Sequence, residues 1–248
     1  MEYTINIKGR LMDLSTPQVM GILNVTPDSF YSGSRKQTEM EIAQRANQII
    51  EEGGSIIDVG AFSTRPGADE VSEEEEGRRL KFALDIVRRE QPDAAVSVDT
   101  YRPTLARKCI EEWGADIIND VSEGGITGIV NVPLEQRQEE YPEMFRVVGE
   151  LKVPYILMSV QPTLETMMKG FAKEVQQLRD LGAKDIILDP GFCFGKNLIQ
   201  NYQIYNEMEK LNVMELPVLV GISRKSMIYK LLGGDATTSL NGTSVLDT

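Results

Sequence analysis

Short apolar runs alternate with longer amphipathic stretches along almost the whole chain. Strands covered by helices on both faces read as near-continuous apolar runs, so this pattern predicts repeated βα units around a parallel sheet. The runs fall at residues 19–25, 55–60, 95–100, 116–120, 154–158, 185–189 and 217–222. The helical stretches between them have legible ends. Thr38 and Ser72 each stand three residues before a Glu, as in a capping box, and Gly114 and Gly182 follow helical patterns as C-caps. The acidic run Glu73 to Glu76 reads as the solvated first turn of a helix, where the dipole favours acids.

The start of the chain differs. Residues 3–7 and 10–13 alternate apolar and polar around Lys8-Gly9, which predicts a small antiparallel hairpin suited to plugging the bottom of a barrel. Residues 122–143, with Gly124-Gly125, Pro133, a polar run and Pro142, read as a long βα loop. Seven βα strands are counted, and Thr248 falls within a further helical pattern. The expected fold is therefore α/β, a (β/α)8 TIM barrel with an N-terminal hairpin and its last βα unit missing, forming one domain over residues 1–248. An open doubly wound sheet is the other arrangement the pattern allows.

Composition narrows the function classes. Lys and Arg number 26 against 38 Asp and Glu, a formal charge of -12. That is the wrong sign for affinity built on counterion release, so no nucleic acid partner is expected. No apolar run reaches membrane-spanning length and the first residues lack a signal-peptide core, so no membrane partner and a cytoplasmic location are expected. Cys109 and Cys193 suit a reducing compartment without metal-ligand spacing, and Cys193 reads as a packing residue. The chain has no histidine, which removes the usual general base and the commonest transition-metal ligand.

The informative signal is where polar residues stand. Asn24, Asp58, Asp99, Asn119 with Asp120, Ser159, Asp189 and the Ser223-Arg224-Lys225 turn each end a predicted strand. In a barrel those ends ring one mouth, the face that carries active sites. Any one of them can be a cap or a turn former, and for Asp58 and Asp120 that alternative carries equal weight. Carboxylates and an amide suit a flat heterocycle with adjacent N–H donors, because one carboxylate accepts two parallel hydrogen bonds. Lys225 adds a donor for a ring carbonyl or nitrogen, and Thr64-Arg65-Pro66-Gly67 and Ser223-Arg224 bring loop donors for an anion.

These residues spell a resemblance. Gly21 to Phe30 (GILNVTPDSF), Asp58-Val59-Gly60 with Ser63 to Gly67, Ser97 to Thr100, Ile118-Asn119-Asp120, Asp189 to Phe192 with Phe194-Gly195-Lys196, and Gly221 to Ser226 follow in register. Together they resemble the dihydropteroate synthases of folate biosynthesis, a pterin-binding TIM-barrel family. The resemblance implies condensation of (7,8-dihydropterin-6-yl)methyl diphosphate with p-aminobenzoate, Mg2+ as cofactor, a homodimer and sensitivity to sulfonamides. It also implies pterin contacts from Thr64, Asp99, Asn119, Met158, Asp189, Phe194, Gly221 and Lys225. Aminobenzoate would meet Phe30, Thr64, Pro66, Arg224 and Ser226, and Asn24 would ligate the metal. Asp99, Asp189, Lys225 and Arg65 would carry catalysis. Ser32 and Ser159 stand where the family has an Asp and a His.

The implied chemistry agrees with a chain lacking histidine. Departure of diphosphate leaves a resonance-stabilised pterin cation, so aimed charges rather than a strong base do the work. Three other readings stand beside it: a corrinoid-linked pterin methyltransferase, a non-catalytic pterin-binding protein, and an aldolase using Lys225 as Schiff-base nucleophile.

Overall fold

The computed structural model describes residues 3–25, 35–62, 71–124, 141–223 and 225–234, with backbone only for 35 and 36. The expected hairpin is present: β1 (Thr4–Ile7) pairs antiparallel with β2 (Arg10–Asp13). Lys8 and Gly9 between them take φ of 49° and 85°. Positive φ at both central residues gives the turn whose twist matches the flanking strands.

The remaining elements alternate. They run β3 (Met20–Asn24), α1 (Arg35–Glu51), β4 (Ile56–Gly60), α2 (Glu73–Glu90), β5 (Ala95–Asp99), α3 (Pro103–Glu111) and β6 (Ile117–Asp120), then α4 (Glu143–Leu151), β7 (Tyr155–Met158), α5 (Leu164–Asp180), β8 (Ile186–Asp189), α6 (Leu198–Glu207) and α7 (Ser226–Leu231). Strands β3 to β8 form one parallel sheet in sequence order. Residues along each strand divide by parity. Leu23, Ile57, Val59, Val96 and Val98 pack outward against α1, α2 and α3, while Ile118, Tyr155, Leu157, Ile186 and Leu188 pack against α4, α5 and α6. The other parity meets at the centre: Ile56, Ala95, Ile117, Ile156 and Ile187 form one buried cluster with Ile5 and Ile7 of the hairpin. In a flat sheet β4 and β8 would lie about 19 Å apart. Their sharing of one cluster is the rolled geometry of a TIM barrel, with the hairpin closing its lower end.

The hairpin is also tied by charge. Lys8 Nζ lies 2.7 Å from Asp116 Oδ1 and donates to the Gly114 carbonyl at 3.1 Å. Asp116 in turn accepts from Arg88 and from the Val96 N–H.

Three sequence expectations change. The seventh predicted strand, residues 217–222, makes a single parallel bridge between Val218 and Leu188. Pro217 has no N–H for the rung before this bridge and Pro190 none for the rung after it, so the ladder holds only two bonds, from Leu188 N to the Pro217 carbonyl and from Leu219 N to the Leu188 carbonyl. Thr38 is not a cap: α1 starts at Arg35 and Thr38 is buried inside it. Ser72 does cap α2, accepting from the Glu75 N–H. Glu76, read as solvated, is fully buried; it accepts from the Thr100 hydroxyl at 2.6 Å and pairs with Arg102 at 2.9 Å. Of the long loop 122–143, residues 125–140 lie outside the described residues.

Candidate active site

The inward parity that is apolar at the bottom of the barrel turns polar toward the strand ends. On β4 it runs Ile56, Asp58, Gly60; on β5 Ala95, Ser97, Asp99; on β6 Ile117, Asn119. Asn24, Gly60, Asp99 and Asn119 stand side by side in register on four neighbouring strands. Gly60 leaves room there, since a Cβ would come 2.9 Å from Asn24 Oδ1, which would have to shift, and 3.5 Å from Asp99 Oδ2. Asn119 Nδ2 donates to Asp58 Oδ2 at 3.1 Å across the strand between them.

On the opposite wall Met158 and Asp189 end β7 and β8 at the same level. Asp189 Oδ1 accepts from the Gly191 N–H at 2.8 Å, which starts a tight turn. Gly191, Cys193 and Gly195 take φ of 62°, 68° and 63°. The turn is clamped from within by Lys196, whose ammonium donates to the carbonyls of Ser159 (2.8 Å), Gly191 (3.0 Å) and Phe194 (3.0 Å). It presents Phe194, which packs with Met158, Phe62, Val121 and Val160 as an apolar cluster beside the acids. Lys225 Nζ lies 4.3 Å from the centre of the Phe194 ring, so a cation–π contact carries the lysine toward the acids.

Burial sets the protonation behaviour. Asp99 is held well above the usual carboxylate range, first by desolvation and then by the carboxylates of Asp58, Glu76 and Asp120, against the pull of Lys225. Asp58 and Asp189 are raised for the same leading reason. Lys225 is lowered by burial, which Asp189 and Asp99 partly offset. Lys196, lowered for the same leading reason, falls to about 8. Buried acids and ammonium groups thus stand near one another at the strand ends, an arrangement concentrated at functional sites.

Of the residues expected from sequence, Asn24, Asp99, Asn119, Met158, Asp189, Phe194 and Lys225 come together at this mouth. Gly221 stands on its exposed rim with open space beside its Cα. The Ser226 hydroxyl donates to Cys193 Sγ at 3.5 Å, beside the same turn. Phe30, Thr64, Arg65, Pro66 and Arg224 lie outside the described residues. Asp120 proves to be a turn former: it accepts from the Tyr155 hydroxyl and from the Ser122 and Gly124 N–H groups. Its parity on β6 already pointed it away from the barrel axis. Lys196, Gly60 and the Asp58 contact to Asn119 had no assigned role, although the inward parity that Asp58 and Asn119 share was a signal for that contact.

Comparison with known proteins agrees with this geometry. The family described as pterin binding enzyme matches residues 20–247. The dihydropteroate synthase of Escherichia coli (strain K12) is 37% identical over 95% of this chain and 83% of its own length. That of Clostridium beijerinckii is 37% identical over 91% of this chain and 81% of its own. A solved Xanthomonas albilineans dihydropteroate synthase with 4-aminobenzoic acid superposes with a TM-score of 0.82 at 30% identity, covering 99% of this chain and 88% of that one. The same enzyme in complex with 7,8-dihydropteroate gives a TM-score of 0.78 at 28% identity, covering 98% and 88%.

Proposed function

The chain belongs to the pterin-binding enzyme family, among its dihydropteroate synthases, and on that premise we propose how its own residues take up substrate and run the condensation. Asp99, Asn119 and Asp189 accept hydrogen bonds from the amino-pyrimidinone edge of the pterin, with Lys225 donating to a ring acceptor and Met158, Phe194 and Gly221 bounding the slot. One observation carries this reading. Asp99 Oδ1 and Asn119 Oδ1 are buried acceptors without a donor among the described residues. Leaving such a group unpaired costs roughly 1–3 kcal/mol, which a ligand edge dense in N–H donors removes.

The reaction follows from the same charges. The C–O bond of the (7,8-dihydropterin-6-yl)methyl diphosphate breaks with its electron pair leaving on diphosphate, and the exocyclic carbon becomes part of a pterin cation. Asp99 and Asp189 stabilise that positive charge from positions fixed before the reaction begins. The amine nitrogen of p-aminobenzoate then forms the C–N bond and gives up a proton to solvent. Arg65, Thr64, Phe30, Pro66, Arg224 and Ser226 complete the diphosphate and aminobenzoate sites in this reading, by resemblance. Mg2+ fits the donor set: Asn24 Oδ1 hangs over the bare Cα of Gly60 beside Asp99, and a cation carried largely by phosphate oxygens and water needs only one or two protein oxygens. When bound, the metal supplies charge for the departing diphosphate.

No helix among the described residues is long and apolar enough to cross a membrane. Exposed Ile199 on α6 and Leu231 on α7 offer an apolar face for a second copy, which supports a homodimer. The test is diphosphate release from the pterin substrate with and without p-aminobenzoate. Release that depends on the arylamine, competes with a sulfonamide and falls on chelation is expected. Tight pterin binding with no release would leave a binding protein instead.

A further inference from the structure

Asn119 offers two chemically opposite faces, an amide oxygen that accepts and an NH2 that donates. Which one meets a ligand depends on what holds the other. Here the NH2 is held by Asp58, a carboxylate two strands away, at 3.1 Å. The reach is possible because the residue between them on β5, level with Asp58, is Ser97. Its side chain is short and fully buried beside Asp58. Both ends of the contact are buried, Asp58 at 5% and Asn119 at 7% exposure, so water does not compete for it. Asp58 Oδ2 accepts from this NH2, which locks the NH2 inward and turns Asn119 Oδ1 outward, where it lacks any donor among the described residues.

We propose that Asp58 is the positioning residue that sets ligand specificity at this edge: by fixing the Asn119 amide it makes the site accept a ring position bearing an amino group and reject one bearing a carbonyl. The inference rests on the pterin reading above and deepens it. Asp58 need not touch the ligand. With Asp99 and Asp189 nearby, the fixed amide adds a further acceptor at this edge, so a ring edge dense in N–H donors is selected there. A site whose buried hydrogen-bonding groups are oriented in advance rejects the mismatched analogue because the mismatch leaves two acceptors face to face.

The probes are 6-hydroxymethylpterin and the matching lumazine, which carries a 2-oxo group where the pterin carries a 2-amino group. Equilibrium binding to the full chain should favour the pterin by about a hundredfold or more. In Asp58→Asn the side chain at 58 can donate or accept, Asn119 can turn over, and the preference should shrink at least tenfold through tighter lumazine binding as well as weaker pterin binding. Asp58→Ser, which removes the anchor and leaves a polar space, reads the same ratio should the Asn variant fold poorly. A purely structural role for Asp58 would lower both affinities together and leave the ratio unchanged, and that result overturns the proposal. Wild-type chain that binds neither probe would overturn the pterin reading, and this inference with it.

Discussion

Asp99 shows how a single residue is set for its task by its surroundings. Its carboxylate is desolvated and stands near Asp58, Glu76 and Asp120, which raises its proton affinity until a cationic partner arrives. Asp99→Asn keeps the shape and removes the charge. We expect kcat to fall on the order of 10²–10³-fold, the usual loss for one aimed electrostatic group, while steady-state kinetics and thermal melting together report a fold no less stable. The linkage has a definite sign. Asp58, Asp99 and Asp189 all hold protons above the ordinary Asp value of 3.8 in the folded chain. Between that value and the raised ones the folded state binds more protons than the unfolded state. Their contribution to stability is therefore full below 3.8 and is lost as pH rises through the raised values. Melting of the unliganded chain as pH rises from 3.8 should show this loss, and Asp99→Asn should weaken it. Glu75 acts in the opposite sense: hydrogen bonding from Arg78 holds it at about 2, so its contribution is present above 4.5 and lost as pH falls through 2.

Among the elements, the turn after β8 deserves its geometry to one ammonium. Lys196 gives its three protons to three carbonyls on two loops, and so fixes Asp189, Phe194 and the end of β7 relative to one another. Lys196→Met keeps most of the volume and none of the donors, leaving each carbonyl short by roughly 1–3 kcal/mol if water does not reach it. Expected are a lower melting temperature and a raised KM for the pterin substrate. Because burial lowers Lys196 to about 8, rising pH strips one of the three donors above that value. The pterin KM of the wild type should climb there, and the Met variant should lack that limb. Gly191→Ala would strain the same turn twice, through a φ of 62° and a Cβ 2.3 Å from the Ser159 carbonyl oxygen.

Across the whole molecule, the barrel keeps its chemistry and its foundation at opposite ends. Ile5 and Ile7 close the bottom against the first inward residues of the strands, far along each strand from Asp99, Asn119 and Asp189. Ile5→Ala should cost about 2–5 kcal/mol of stability by leaving a cavity in a filled core. Denaturant unfolding would measure that loss, and kcat of the folded fraction should stay unchanged. Much of this plan was legible along the chain. Six of the seven proposed strands formed within a residue or two of their expected ends, because a strand buried on both faces leaves a continuous apolar trace. The hairpin was equally plain from its alternation around Lys8-Gly9. The segment 217–222 looked like another strand by the same apolar measure, but pairing needs a donor at each step and Pro217 has none. Glu76 and Thr38 were misplaced because burial comes from other βα units, such as Arg102 and Thr100 reaching Glu76 from beyond β5.

By itself, the order of residues determined the alternation of strand and helix, the parity that sends polar groups inward at the strand ends, and motifs specific enough to identify a family. These are local or periodic properties, set by spacings of a few residues. Only the tertiary structure decided which polar groups share the cavity, which merely tie turns, and which way each points. Asn119 and Asp58 are 61 residues apart in sequence, and nothing near either one announces their contact. Orientation and proton affinity are consequences of desolvation and of partners brought from distant strands, so they exist only once the sheet has rolled up.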